Sequence, residues 1–121
     1  MKLRDYTELI AWQKAMVFVT EVYKASENFP QRELYGLSSQ LRRAAVSVPS
    51  NIAEGQGRAS TGEFKHFLGN AQGSLCEAET QIRIAGNLGY LRAETVSDLL
   101  ARTSEIGKIM HGLQASLNAG H

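Results

Sequence analysis

Between residues 34 and 52 the apolar side chains Leu34, Leu37, Leu41, Ala44, Val48 and Ile52 recur at steps of three or four, straight across a proline. Such steps bury one face of a helix and fit no strand. Pro49 lacks a backbone donor and crowds the turn before it. Because Ile52 stays in register with Val48, the spacing predicts a helix over residues 33–56 that is kinked at Pro49, not broken. Gly55 and Gly57 read as its stop, with the positive φ that helix ends favour. A helix this long and amphipathic needs other helices to cover it.

Three more are legible. The first covers residues 7–28, where Asp5 and Glu8 form a capping arrangement and Phe29-Pro30 closes the element. The third covers residues 61–87, capped by Ser60 with Glu63, and turns Phe64, Phe67, Leu68, Ala71, Leu75, Ala78, Ile82 and Ala85 inward. Gly69 and Gly73, one turn apart, read as a place of close helix approach. The fourth covers residues 93–117, with Val96, Leu99, Leu100, Ile106, Met110, Leu113 and Leu117 inward. No strand-like alternation occurs and the connections are short. The expected fold is all-α: one domain over residues 1–121, an antiparallel up-down-up-down four-helix bundle.

The first helix is greasier than one core requires. Leu9, Trp12, Met16, Val19 and Tyr23 form one stripe, and Ala11, Ala15, Phe18, Val22 and Ala25 form a second. Together they span about half the cylinder, beyond the ~100° that seats a helix on a single core. Ile10 and Val17 lie outside even that arc. The second stripe is therefore the expected contact with another copy of the chain, in a closed symmetric oligomer.

Composition narrows the class. At 43% apolar and 21% charged residues, with 121 residues in all, the chain can bury a core without metal or disulfide staples. A net charge of +1 is unlike the clearly basic balance of proteins that grip nucleic acid unaided. The single cysteine, Cys76, excludes an internal disulfide and fits a reducing compartment. Its mid-helix position suggests a buried or half-buried thiol. The start M-K-L-R-D lacks a signal-peptide layout, and no apolar run approaches the ~20 residues that span a bilayer. A cytoplasmic protein with no membrane contact is expected.

Polar residues are patterned too. Gln40, Ser47, Asn51 and Glu54 run beside the apolar stripe of the second helix, and Asn70, Ser74, Glu77 and Gln81 hold the equivalent place on the third. Ordinary amphipathic helices have solvated flanks, which is the plain reading. Short Ser and Asn side chains are poor choices for a freely exposed helix, which favours stripes that meet each other, or meet another subunit, in a hydrogen-bonded network.

Chemistry is scarce. Glu63 and His66 make the Glu-x-x-His pair of di-metal bundles, but His111 and His121 have no acidic residue three positions before them. No metal, cofactor, small-molecule substrate or catalytic residue is expected. Basic residues gather at Arg42, Arg43, Arg58 and Lys65, beside His66. In a ring these would repeat, and multivalent phosphate contact becomes credible.

Five segments carry a family resemblance: L-I-A-W-Q-K-A (residues 9–15), F-P-Q-R-E-L-Y-G-L (29–37), Q-L-R-R-A-A-V-S-V-P-S-N-I-A-E-G (40–55), G-S-L-C-E-A-E-T-Q (73–81) and L-G-Y-L (88–91). The chain resembles the 23S rRNA intervening-sequence protein family, also called four helix bundle or S23 ribosomal proteins. The 40–55 block is its most specific part. The resemblance implies a homopentameric barrel of four-helix bundles. It extends to the accessory variability determinant of diversity-generating retroelements, a basic pentamer associated with RNA and a reverse transcriptase. The reading is a non-enzymatic homo-oligomeric scaffold whose candidate partners are RNA or a nucleic-acid-processing protein. A protein-only scaffold is the alternative, and a bundle-core metalloenzyme the third.

Overall fold

The computed structural model of the chain describes residues 5–119. Four helices, α1 (Ile10–Ser26), α2 (Leu37–Gln56), α3 (Thr61–Asn87) and α4 (Ala93–Ala119), make the architecture, and no strand occurs among the described residues. Each packs on its neighbours in sequence, and α1 against α4 closes the bundle. Ser47 faces Ser74 and Gly55 faces Phe67, so α2 and α3 are antiparallel. Thr103 meets Glu79 while Val96 meets Gly86, so α3 and α4 are antiparallel as well.

The core follows the predicted stripes. Leu41, Val48 and Ile52 of α2 are fully buried, as are Leu68 and Ile82 of α3 and Leu99, Ile106 and Met110 of α4. Each such side chain contributes about 1.5–3 kcal/mol relative to leaving it in water. Pro49 lies inside α2, which continues to Gln56 as one element. The Ala45 carbonyl accordingly has no helical donor opposite it.

Helix ends explain most departures from expectation. Asp5 accepts a hydrogen bond from the Thr7 amide at 2.8 Å and from the Thr7 hydroxyl, which closes a 3₁₀ turn over Tyr6–Glu8. Leu9 is extended, so α1 starts at Ile10 and not at Thr7. The second helix likewise starts at Leu37. Residues Gln31–Glu33 form a separate 3₁₀ turn, and Glu33 Oε1 accepts from the Leu37 amide at 3.1 Å. Leu34 falls before that start and stays exposed. At α3 the Ser60 cap is present: the Glu63 amide donates to Ser60 Oγ at 3.1 Å. The Glu63 side chain meets the Ser60 hydroxyl, which donates to Oε1 at 3.3 Å, in place of the backbone amide of a full capping box.

The glycines behave differently from their sequence reading. Gly57 ends α2 with φ −79°, and among the described residues only Gly89 has positive φ, at 79°. Gly55 is needed for space, because a Cβ there would sit 2.6 Å from Phe67 Cβ. Gly69 and Gly73 have nothing within 4 Å of a built Cβ, so no helix approaches them closely. Cys76 is exposed, correcting the expectation of a buried thiol.

Candidate functional site

The second α1 stripe does not take the role expected of it. Ala11, Ala15, Phe18 and Val22 are buried inside the single chain, and Ala25 packs against the same core. They seat α1 on its own bundle and are not a contact with another copy. The reason is size: three alanines let α1 sit close, and Phe18 fills the space between helices. Of the bulkier stripe, Leu9 is buried and Trp12 and Val19 pack partly against the same core, while Met16 and Tyr23 are 42% and 43% exposed. Ile10 and Val17, outside both stripes, are 56% and 48% exposed.

Part of the bulkier stripe lines an apolar groove between α1 and α2. Tyr6, Trp12, Met16, Val19, Val46, Pro49, Ser50 and Ala53 surround a volume of about 330 Å³. Tyr6 meets Trp12 edge-on with ring centroids 5.3 Å apart, forming one end. Single exposed apolar side chains are ordinary, whereas a contiguous apolar groove marks an interaction surface.

On a different side of α2 the two polar stripes meet. Ser47 Oγ and Ser74 Oγ are 2.8 Å apart, and Asn51 Nδ2 donates to the Ser47 carbonyl at 2.8 Å and to Ser47 Oγ at 2.9 Å. This register puts Gln40 level with Gln81 and Ala44 level with Glu77. Gln40, Arg43, Ala44, Ser47, Glu77 and Gln81 line a groove of about 330 Å³. Gln81 Oε1 is buried there without a hydrogen-bond partner among the described residues. Glu54 stands apart from the network, exposed and paired with Arg58 at 2.6 Å. Asn70 is exposed as well.

The basic residues do not form one surface. Arg42 Nε donates to Ser26 Oγ at 2.8 Å, its Nη2 lies 3.5 Å from the Tyr23 carbonyl, and its guanidinium is 4.7 Å from the Tyr23 ring. It thus ties α2 to the C-terminal end of α1, where unpaired carbonyls favour a cation. Arg43 is exposed and belongs to the polar groove. Arg58 pairs with Glu54 and lies 4.9 Å over the Phe67 ring. Lys65 Nζ donates to Asn118 Oδ1 at 2.6 Å. From Arg42 to the end of α2 at Gln56 is fourteen residues, about 21 Å at helical rise, and Arg58 lies beyond that end.

Two polar links escaped the sequence reading. Thr103 is fully buried, and its Oγ1 donates to Glu79 Oε2 at 2.6 Å. Its place at step four from Leu99 and three from Ile106 is the signal that was available. Glu33 Oε2 accepts from the Tyr90 hydroxyl at 2.9 Å, joining the start of α2 to the α3–α4 turn. The Leu37 amide first and the Tyr90 hydroxyl second hold the Glu33 carboxyl below its ordinary value. The Asp5 carboxyl is lowered in the same way by its bonds from Thr7.

Glu63 is engaged by Ser60, and His66 meets Phe67 edge-on at 5.6 Å. His121 lies outside the described residues. Among the described residues no three His, Cys, Asp or Glu side chains converge as a metal site, and no helix is long and apolar enough to cross a membrane.

Residues 7–112 match the family model described as 23S rRNA-intervening sequence protein. Among solved structures, the chain is similar to a protein of unknown function from the S23 ribosomal protein family of Bacteroides thetaiotaomicron. The two are 21% identical, the match covers 87% of this chain and 98% of that one, and the TM-score is 0.78. At that identity the likeness shows the fold. No curated protein matches the chain.

Proposed function

The chain belongs to the 23S rRNA-intervening sequence protein family, and from that premise we propose that it works as a homo-oligomeric scaffold, not as an enzyme. The observation that carries this reading is the apolar groove along α1 and α2, with Met16 42% exposed beside Trp12, Val46 and Pro49. A second copy is the partner of choice, because cyclic self-assembly covers the same patch on every subunit. A ring of five is the expected closure, as the family resemblance implies. Native mass spectrometry at micromolar subunit concentration tests it. Met16→Glu with Val46→Glu places unpaired carboxylates in the contact, each costing about several kcal/mol when buried, and should yield single subunits. A lone subunit for the parent chain, or an unchanged mass for the double variant, removes the reading.

Association with RNA or a nucleic-acid-processing protein is the second half of the proposal. The observation in its favour is Arg43, exposed and with no ion pair among the described residues, which a ring would present in repeated copies. Arg58 and Lys65 add a second basic region around the α2–α3 turn. Binding of a single-stranded RNA oligomer should weaken steeply with salt and with Arg43→Glu. A flat salt response leaves a protein-only scaffold, whose sign is a partner retained through nuclease and high salt.

A further inference from the structure

We propose that the groove between α2 and α3 binds a small zwitterion, a molecule carrying both an ammonium and a carboxylate group. The groove is lined by Gln81, whose Oε1 is buried and receives no hydrogen bond among the described residues. Buried polar atoms in folded chains almost always have a partner, so an orphan on a residue that lines a groove points to a donor that arrives from outside. Arg43 and Glu77 line the same groove, and neither makes an ion pair or hydrogen bond among the described residues.

Two opposite charges held on facing helices, each unpaired, define the ligand. The guanidinium fork of Arg43 matches a carboxylate. Glu77 and Gln81 Oε1 are acceptors, and both suit the N–H groups of an ammonium. An anion alone would satisfy Arg43 and be repelled by Glu77; a cation alone would meet the reverse. Only a molecule with both charges answers the whole site. Gln40 carries a donor and an acceptor on one amide and supports either end. Ser47 is already occupied by Ser74 and Asn51, so it shapes the groove without needing the ligand. The volume, about 330 Å³, lies at the small end of the roughly 300–1,000 Å³ of ligand sites. The groove is made by two helices of one chain and uses residues of α2 other than those of the apolar groove, so it stands independently of self-assembly.

The test is a titration of the full chain with glycine, β-alanine and γ-aminobutyrate, which differ in the separation of their two charges. Acetate and methylamine serve as single-charge controls. The side-chain amide signals of Gln81 and Gln40 and the Arg43 Nε–H signal are followed by NMR. At least one zwitterion should give saturating shifts at millimolar concentration, with a midpoint at least about tenfold below those of both controls. Arg43→Gln and Glu77→Gln, both at exposed positions that leave the fold intact, should each raise that midpoint about tenfold. Gln81→Leu, checked as folded by its spectrum, should abolish the response. The proposal is overturned if no zwitterion saturates, if acetate or methylamine does equally well, or if the variants bind like the parent.

Discussion

A single methyl group at Gly55 tests how closely α2 and α3 approach at their turn. The Cβ of Gly55→Ala would lie 2.6 Å from Phe67 Cβ and 3.1 Å from Phe64 Cδ1. Carbon atoms in good contact sit about 3.5–4.0 Å apart, so the helices must separate by roughly 1 Å at this point. Phe67 Cβ is fixed to its backbone and cannot swing aside. Overpacking of this kind costs about 1–3 kcal/mol, near the top of that range here, while alanine's better helix propensity returns about 1 kcal/mol. The net expectation is a loss of about 2 kcal/mol, or about 8 °C in the melting midpoint for a chain of this length. Gly69→Ala and Gly112→Ala are the controls, since nothing lies within 4 Å of either added Cβ. Both should gain about 0.5–1 kcal/mol from the same change of residue. Urea unfolding followed by circular dichroism reads all three, at one fixed subunit concentration because assembly shifts the midpoint. The reasoning fails if Gly55→Ala is as stable as the parent, or if the three variants shift in the same direction.

Stability should respond to pH through Glu33, whose carboxyl is held below its ordinary value of 4.5. A depressed carboxyl contributes stability in full above its unfolded value and loses it as pH falls through the folded one. Tyr90→Phe deletes the second donor and should flatten the fall of the urea midpoint between about pH 6 and about pH 3; an unaltered slope contradicts this. Arg42→Gln should cost about 1–2 kcal/mol through its lost bonds to Ser26 and the Tyr23 carbonyl, whereas Arg43→Gln should stay within about 0.5 kcal/mol of the parent. Equal losses in thermal melts would contradict the separation of the two arginines. Thr103→Val keeps the shape of a buried residue but takes the donor from Glu79, and a loss of about 2 kcal/mol is expected in urea unfolding. A valine variant as stable as the parent would show that solvent already serves that carboxylate.

Much of the fold was readable because helical spacing and capping are local. Ser60 and Glu63 announce the start of α3 within four residues, and Leu41, Ala44, Val48 and Ile52 trace one face of α2 regardless of what covers it. The meeting of Ser47 with Ser74 was foreshadowed by two short polar stripes in matching positions. What stayed hidden depends on the third dimension. A helical wheel places the two stripes of α1 side by side but does not say which one turns inward; the small size of Ala11 and Ala15 decides it only once neighbouring helices compete for the space. Arg42 and Arg43 are adjacent in sequence, yet one reaches to α1 and the other lines a groove towards α3. The capping role of Glu33 needed a 3₁₀ turn that brings its side chain over the Leu37 amide. Thr103 stayed hidden because its hydroxyl masks its place on the apolar face of α4.

Pro49 sits where two demands on the chain diverge. It leaves a carbonyl in α2 without a donor and yet forms a wall of the outer apolar groove. Alanine at this position would restore the missing bond and improve helix propensity by up to about 3 kcal/mol, while stripping away part of that wall. If the groove seats a second copy, selection for heat resistance alone would trade cohesion between subunits for firmness within each one. The imperfect helix is then the form that a sociable chain retains.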